Sequence, residues 1–192
     1  MHKGRLEAFS DAVIAIILTI MVLELHPPHE FTFDALRPLL PVLLSYILSF
    51  IFLGIYWNNH HHMIQAAKKV NGAVLWANMH LLFWLSLTPF VTAWMGQQGL
   101  KSVPVAAYGF VLFMSGVSYY ILSRTLVRAN GSDSAVARGL GDDLKGKISV
   151  VIYAISIGLA FAVPIASCAC YVLVALIWLV PDRRFERLLQ QD

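Results

Sequence analysis

Apolar and polar positions alternate along this chain in blocks, not residue by residue. Long apolar runs are separated by short polar or proline-bearing breaks, the pattern of membrane-spanning helices. The runs predict six helices, at about 5–25, 36–61, 72–95, 103–123, 147–162 and 164–180. Pro27 and Pro28 end the first. Pro38 and Pro41 fall in the first turns of the second, where proline is tolerated. Pro89 predicts a kink in the third. Residues 124–147 form the one long polar segment, and 148–180 is an apolar run too long for a single span of about twenty residues. Pro164 divides that run into helices five and six, and one long kinked helix is the rival reading.

The first run sorts into faces. At about 100° per residue, Ala12, Ile16, Thr19 and Leu23 form one stripe, extended towards the N-terminus by Phe9 and Arg5. Asp11 points roughly 140° from Ile16, so carboxylate and stripe serve different surfaces. The stripe is read as facing a symmetry axis or pore, and Asp11 as facing its own subunit. Ordinary helix packing produces the same pattern. An ionisable residue inside a span needs a partner; Trp57, Asn58, His61, Trp76, Asn78 and His80 are the available donors. Glu24 lies near the far end of this helix, either as a charge at an outer mouth or as a solvated helix-end residue.

Composition agrees with the pattern. The chain has 192 residues, 58% hydrophobic and 13% charged, with a mean hydropathy of +0.69. Soluble domains carry about 25% charged residues, so this is read as an integral membrane protein with no room for a separate soluble domain. The polar N-terminus before an apolar run resembles a signal peptide, but Glu7 and Asp11 interrupt it and no small-residue cleavage site follows Leu25, so it is expected to be retained. In the six-helix reading, twelve of the 14 Lys and Arg fall on one side. These are Lys3, Arg5, Lys68, Lys69, Arg124, Arg128, Arg138, Lys145, Lys147, Arg183, Arg184 and Arg187, against Arg37 and Lys101 opposite. That bias places both termini in the cytoplasm.

Other chemistry is sparse. His60, His61 and His62 point about 100° apart on a helix and do not converge on one ion. They and His80 are assigned to interfacial and interhelical hydrogen bonding rather than to metal. Cys168 and Cys170, two residues apart on a helix, make neither a bridge nor a ligand pair. Tyr108-Gly109 lacks the residues that precede it in an ordinary potassium-channel filter. No phosphate loop, nucleophile elbow or paired carboxylate site is present, so an enzyme is not expected, and neither is a nucleic-acid partner.

Arg5, Phe9, Ser10, Asp11 and Ala12, at the start of the first helix, resemble the signature of the transmembrane-protein-175 family. That family comprises the endolysosomal potassium channel of animals and its shorter prokaryotic relatives. The resemblance implies that Arg5, Phe9, Ser10 and Asp11 lock the first helix onto its neighbours. It further implies a potassium-permeable cation channel in a bacterial plasma membrane, with potassium as the permeant ion and no cofactor. The animal protein holds two six-helix repeats, so a single repeat implies a homotetramer with helix one lining the axis. Ile16 and Leu23 would then form hydrophobic constrictions, with Thr19 between them. A small secondary transporter or proton pathway, and an assembly subunit without conduction, are the other classes left open.

Overall fold

In the computed structural model, residues 3–28 and 31–179 are described. Among them the regular structure is helical. The helices are α1 (Lys3–Leu23), α2 (Leu40–Ala66), α3 (Gly72–Ser86), α4 (Thr88–Gln97), α5 (Ser102–Asn130), α6 (Ala135–Leu140), α7 (Leu144–Leu159) and α8 (Pro164–Leu179). A 3-10 turn, Phe33–Leu39, leads into α2. Among the described residues, four stretches are long and apolar enough to cross a membrane: Lys3–Leu23, Phe33–Ala66, Gly72–Gln97 and Ser102–Asn130. The tail arginines Arg183, Arg184 and Arg187, and the expected end of the sixth helix at Val180, lie outside the described residues.

The expected third helix is the pair α3 and α4. Pro89 has no N–H for the carbonyl of Leu85, so the helix breaks at Leu87 and resumes, with Val91 N donating to Leu87 O at 3.2 Å. The fourth helix runs seven residues beyond its expected end, with Arg128 exposed while Leu126 stays fully buried. Asn130 closes α5 and clamps the loop between α2 and α3. Its Oδ1 accepts from the backbone N–H groups of Lys68 and Lys69, both at 2.8 Å, and its Nδ2 donates to Lys69 O. Within the segment expected to be irregular, Ser134 caps the short helix α6 by accepting from Ala137 N at 3.2 Å. Helix α7 starts three residues earlier than expected and ends at Leu159. At 16 residues each, α7 and α8 rise only about 24 Å, short of the roughly 30 Å of a bilayer core.

Helix α5 is the central strut. Its C-terminal half packs with α1, α3, α6 and the end of α2 in one core, around Leu53, Met63, Ile64, Leu81, Leu122 and Leu126. Its N-terminal half packs with α4, α7, α8 and the start of α2 in a second core, around Tyr108, Tyr153 and Tyr171. Hydroxyls stitch the second core together, as expected where apolar surface gives no preference for protein over lipid. Ser49 lies 2.7 Å from the Thr92 hydroxyl and 2.9 Å from that of Tyr108. The Tyr171 hydroxyl donates to Val105 O at 3.1 Å and lies 2.9 Å from Ser167, which donates to Ser156 O.

Gly109 lets α5 approach α8, since a Cβ there would collide with the Tyr171 hydroxyl. Gly109→Ala should destabilise the fold by about 1–3 kcal/mol through overpacking, read as a lower melting temperature in detergent. Adding Tyr171→Phe, which removes the colliding oxygen, should recover part of the loss.

Candidate functional site: the two faces of α1

Leu6, Ser10, Ile14, Ile17 and Met21 are the buried residues of α1. Their spacing of three and four is a single helical stripe. Ala12, Ile16, Thr19 and Leu23, each displaced from it by two residues or about 200°, lie on the opposite face and are exposed on the single chain. Ile16 is 57% exposed and Leu23 70%. Thr19 donates its hydroxyl to Ala15 O at 2.8 Å, leaving the oxygen lone pairs turned outward. Ile16 also borders an open groove between α1 and α4 of about 680 Å³, whose walls include Ile20, Phe90, Trp94, Gln97 and Glu24. Helix α1 ends at Leu23, and Glu24 sits in the turn that follows, its N–H directed at Met21 O.

The buried face is held by a polar chain. Ser10, with no exposed surface, donates to Leu6 O at 2.8 Å and accepts from Asn78 Nδ2 at 2.9 Å. Asn78 Oδ1 lies 2.7 Å from His60 Nε2. An amide oxygen only accepts, so His60 carries its proton on Nε2. Its Nδ1 is buried with no partner among the described residues. One residue along α1, Asp11 Oδ1 accepts from Trp57 Nε1 at 2.9 Å. Trp57 stacks on His61, whose Nδ1 is 3.4 Å from Glu7 Oε1. Lys3 Nζ donates to Gln65 O at 2.8 Å. Helix α1 is thereby tied to both α2 and α3.

Of the donors expected for Asp11, Trp57 reaches it. Asn78 serves Ser10 and His60 instead, and His80 accepts from Trp84 Nε1 at 3.0 Å. Arg5 and Phe9 are exposed on the single chain, on the side of the stripe. The Ser10–Asn78–His60 relay was hidden in the sequence because nothing local pairs residues 68 and 18 positions apart. A lone amide in the middle of a mostly apolar helix was the available signal.

A family model described as "Endosomal/lysosomal potassium channel TMEM175" matches residues 5–89. A protein of Chryseobacterium sp. (strain P1-3), named a potassium channel, is 50% identical over 192 residues, 100% of each chain. This chain belongs to the TMEM175 family. A potassium channel of Streptomyces collinus is 27% identical over 188 residues, covering 91% of this chain and 90% of its own. The fold resembles the crystal structure of a lysosomal potassium-selective TMEM175 homolog from Chamaesiphon minutus, with a TM-score of 0.83. That likeness covers 94% of this chain and 97% of the other, at 22% identity. The TMEM175 matches place the chain among channel proteins of the membrane, and the stretch matched by the family model contains both faces of α1.

Asn78 is the keystone of the buried side. Asn78→Ala strands the Ser10 and His60 groups, at about 1–3 kcal/mol for each buried polar atom left unpaired. Asp11→Ala removes the acceptor of the Trp57 N–H, which is on the exposed side of α2. Both should lower the melting temperature of the protein in detergent, Asn78→Ala the more.

Proposed function

We propose that this chain is the subunit of a potassium-permeable cation channel whose pore is lined by α1. The reading rests on membership of the TMEM175 family and is carried by one observation. The helix is fastened to its own bundle along one face, while the opposite face presents Ile16, Thr19 and Leu23 uncovered. Four copies around an axis would cover that face, and the α1–α4 groove gives a neighbouring copy a place to seat. Each subunit would cross the membrane six times, with α7 and α8 as the two short spans. Both termini would lie in the cytoplasm of a bacterial cell, with the stripe running through the plasma membrane.

Ile16 and Leu23 are seven residues apart, so their rings stand about 10 Å apart along the axis. Each makes an apolar constriction, where water withdraws and an ion loses hydration. Between them, Thr19 offers oxygen lone pairs to a partly stripped cation. Potassium holds its water less tightly than sodium and passes such a ring at lower cost. No ordinary potassium-channel filter is required. Phe9 and Arg5 would continue the stripe on the cytoplasmic side, and Glu24 would stand at the outer end, where a ring of carboxylates raises the local cation concentration. Potassium is cargo here, not a cofactor, and the chain has no catalytic role.

Purified protein in planar bilayers should carry potassium current in preference to sodium. Ile16→Ala or Ile16→Asn should raise conductance and reduce that preference, and Thr19→Val should reduce the preference with little effect on assembly. Single cysteines placed from Ala12 to Leu23, in a background lacking Cys168 and Cys170, should be blocked by thiol reagents at Ala12, Ile16, Thr19 and Leu23. Block along another face or helix overturns the α1 pore, and saturable proton-coupled flux in place of current points to a transporter.

A cytoplasm-active reporter fused after Asp192 should be active in the six-span topology. An inactive fusion, with a periplasm-active reporter working at the same position, overturns that count.

A further inference from the structure

Between the middle of α2, the middle of α5, the start of α7 and the end of α8, the bundle holds a cavity of about 330 Å³. Ligand pockets run from about 300 to 1,000 Å³. Its wall is almost wholly apolar, with Tyr56 from α2, Gly116 and Tyr120 from α5, Val150 from α7 and Trp178 from α8. Gly116 opens the space: a Cβ there would stand 3.2 Å from Val150 Cγ2 and 3.8 Å from the Tyr56 hydroxyl. Trp178 is held in place by donating Nε1 to Ser149 Oγ at 2.8 Å.

The rim is basic. Lys147 borders the cavity and is exposed. One turn beyond Tyr120, Arg124 lays its guanidinium over the Tyr120 ring at 5.0 Å, and its Nε is buried with no hydrogen-bond partner among the described residues. Asp143 also borders the cavity, but packs its carboxylate against Gly146 at the start of α7. Lys147 on the wall and Arg124 over the Tyr120 ring thus stand beside a cavity whose lining carries one carboxylate, Asp143. Lys68, Lys69, Arg128 and Arg138 stand at the same end of the bundle, since Asn130 joins the α2–α3 loop to the end of α5. Basic clusters beside membrane spans attract anionic headgroups.

We propose that this cavity holds an acyl chain of an anionic phospholipid, drawn from the leaflet on the basic side, with its phosphate against Lys147 and Arg124. The apolar wall takes the chain, and the two cations select the headgroup. The proposal does not depend on conduction.

The test uses the full chain reconstituted in phosphatidylcholine vesicles. Phosphatidylglycerol or phosphatidylcholine with brominated acyl chains is titrated in, and tryptophan fluorescence is read. The difference between wild type and Trp178→Phe isolates the Trp178 signal. That signal should be quenched saturably, with half-quenching by the brominated phosphatidylglycerol at about fivefold lower mole fraction than by the phosphatidylcholine, the attraction of a single Lys or Arg. Lys147→Gln should close most of that gap. Gly116→Leu should abolish the quenching, and Val150→Phe is a second plug should the first fail to assemble. Equal curves for the two lipids in wild type overturn the headgroup assignment. Quenching that survives in an assembled plug variant overturns the site. A Trp178 that no brominated lipid quenches means that another segment or a second copy fills the cavity, and overturns the proposal.

Discussion

The structure turns on a conflict within α1. An isolated apolar helix gains nothing by choosing protein over lipid, because lipid tails are as apolar as leucine. What fixes its rotation is polar. Ser10 must reach Asn78, or two buried groups are left unpaired, and Asp11 must reach Trp57, or a carboxylate within the helix loses its partner. The two bonds lie one residue apart and draw on α3 and α2 respectively. Turning α1 away from the rotation that satisfies both would break at least one. Ile14, Ile17 and Met21 then have to lie inward, and Ile16, Thr19 and Leu23 have to lie outward. The uncovered face follows from the buried one.

That anchoring demands rigid partners. Asn78 is presented by α3, which packs along the C-terminal half of α5, and the loop leading into α3 is pinned by Asn130 at the end of α5. Upstream, Asn71 caps α3 by accepting from Val74 N at 3.0 Å. His60 and Trp57 are supplied by α2, whose other half is tied to α4 and α5 through Ser49, Thr92 and Tyr108. The second core thus sets the position of α2, and α2 in turn sets α1. Serine and threonine hydroxyls serve this purpose because they satisfy themselves on their own helix, as Thr92 does with Thr88 O at 2.7 Å, and still offer lone pairs across the interface.

How much of this could be read from the sequence depended on the range of the interaction. Helix existence was readable because each apolar run is a local property. The break at Pro89 was readable for the same reason, since a missing N–H acts four residues away. The extension of α5 past Ser123 was not. Arg124 and Arg128 look like a loop in a linear reading, but basic residues are compatible with a helix that emerges from a membrane into water. The two faces of α1 could be derived from periodicity alone. The partner of Asp11 could be narrowed only to a group of donors, because the choice of Trp57 over Asn78 depends on how α2 and α3 are rotated against each other. The Asn130 clamp and the cavity beside Gly116 carried no sequence signal, since both arise where elements remote in the chain converge.

The outward face of α1 is left uncovered by the rest of its own chain. Ile16 and Leu23 would be stable against lipid, so exposure by itself does not call for a partner. Thr19 changes that balance. Its hydroxyl is satisfied as a donor by Ala15 O, yet its oxygen still turns lone pairs outward, and hydrocarbon has nothing to give them. In the proposed arrangement, an axis shared with other copies would supply water or cations at that level, between two rings that keep water scarce. A strictly apolar stripe would fit a lipid-facing helix, and a strictly polar one would fit an open aqueous pore. A lone hydroxyl between two bulky aliphatic residues fits a narrow path along which an ion is stripped, briefly held and released. Thr19, the one polar position between Ala12 and Leu23 on this face, is thus what favours the proposed axis there over lipid.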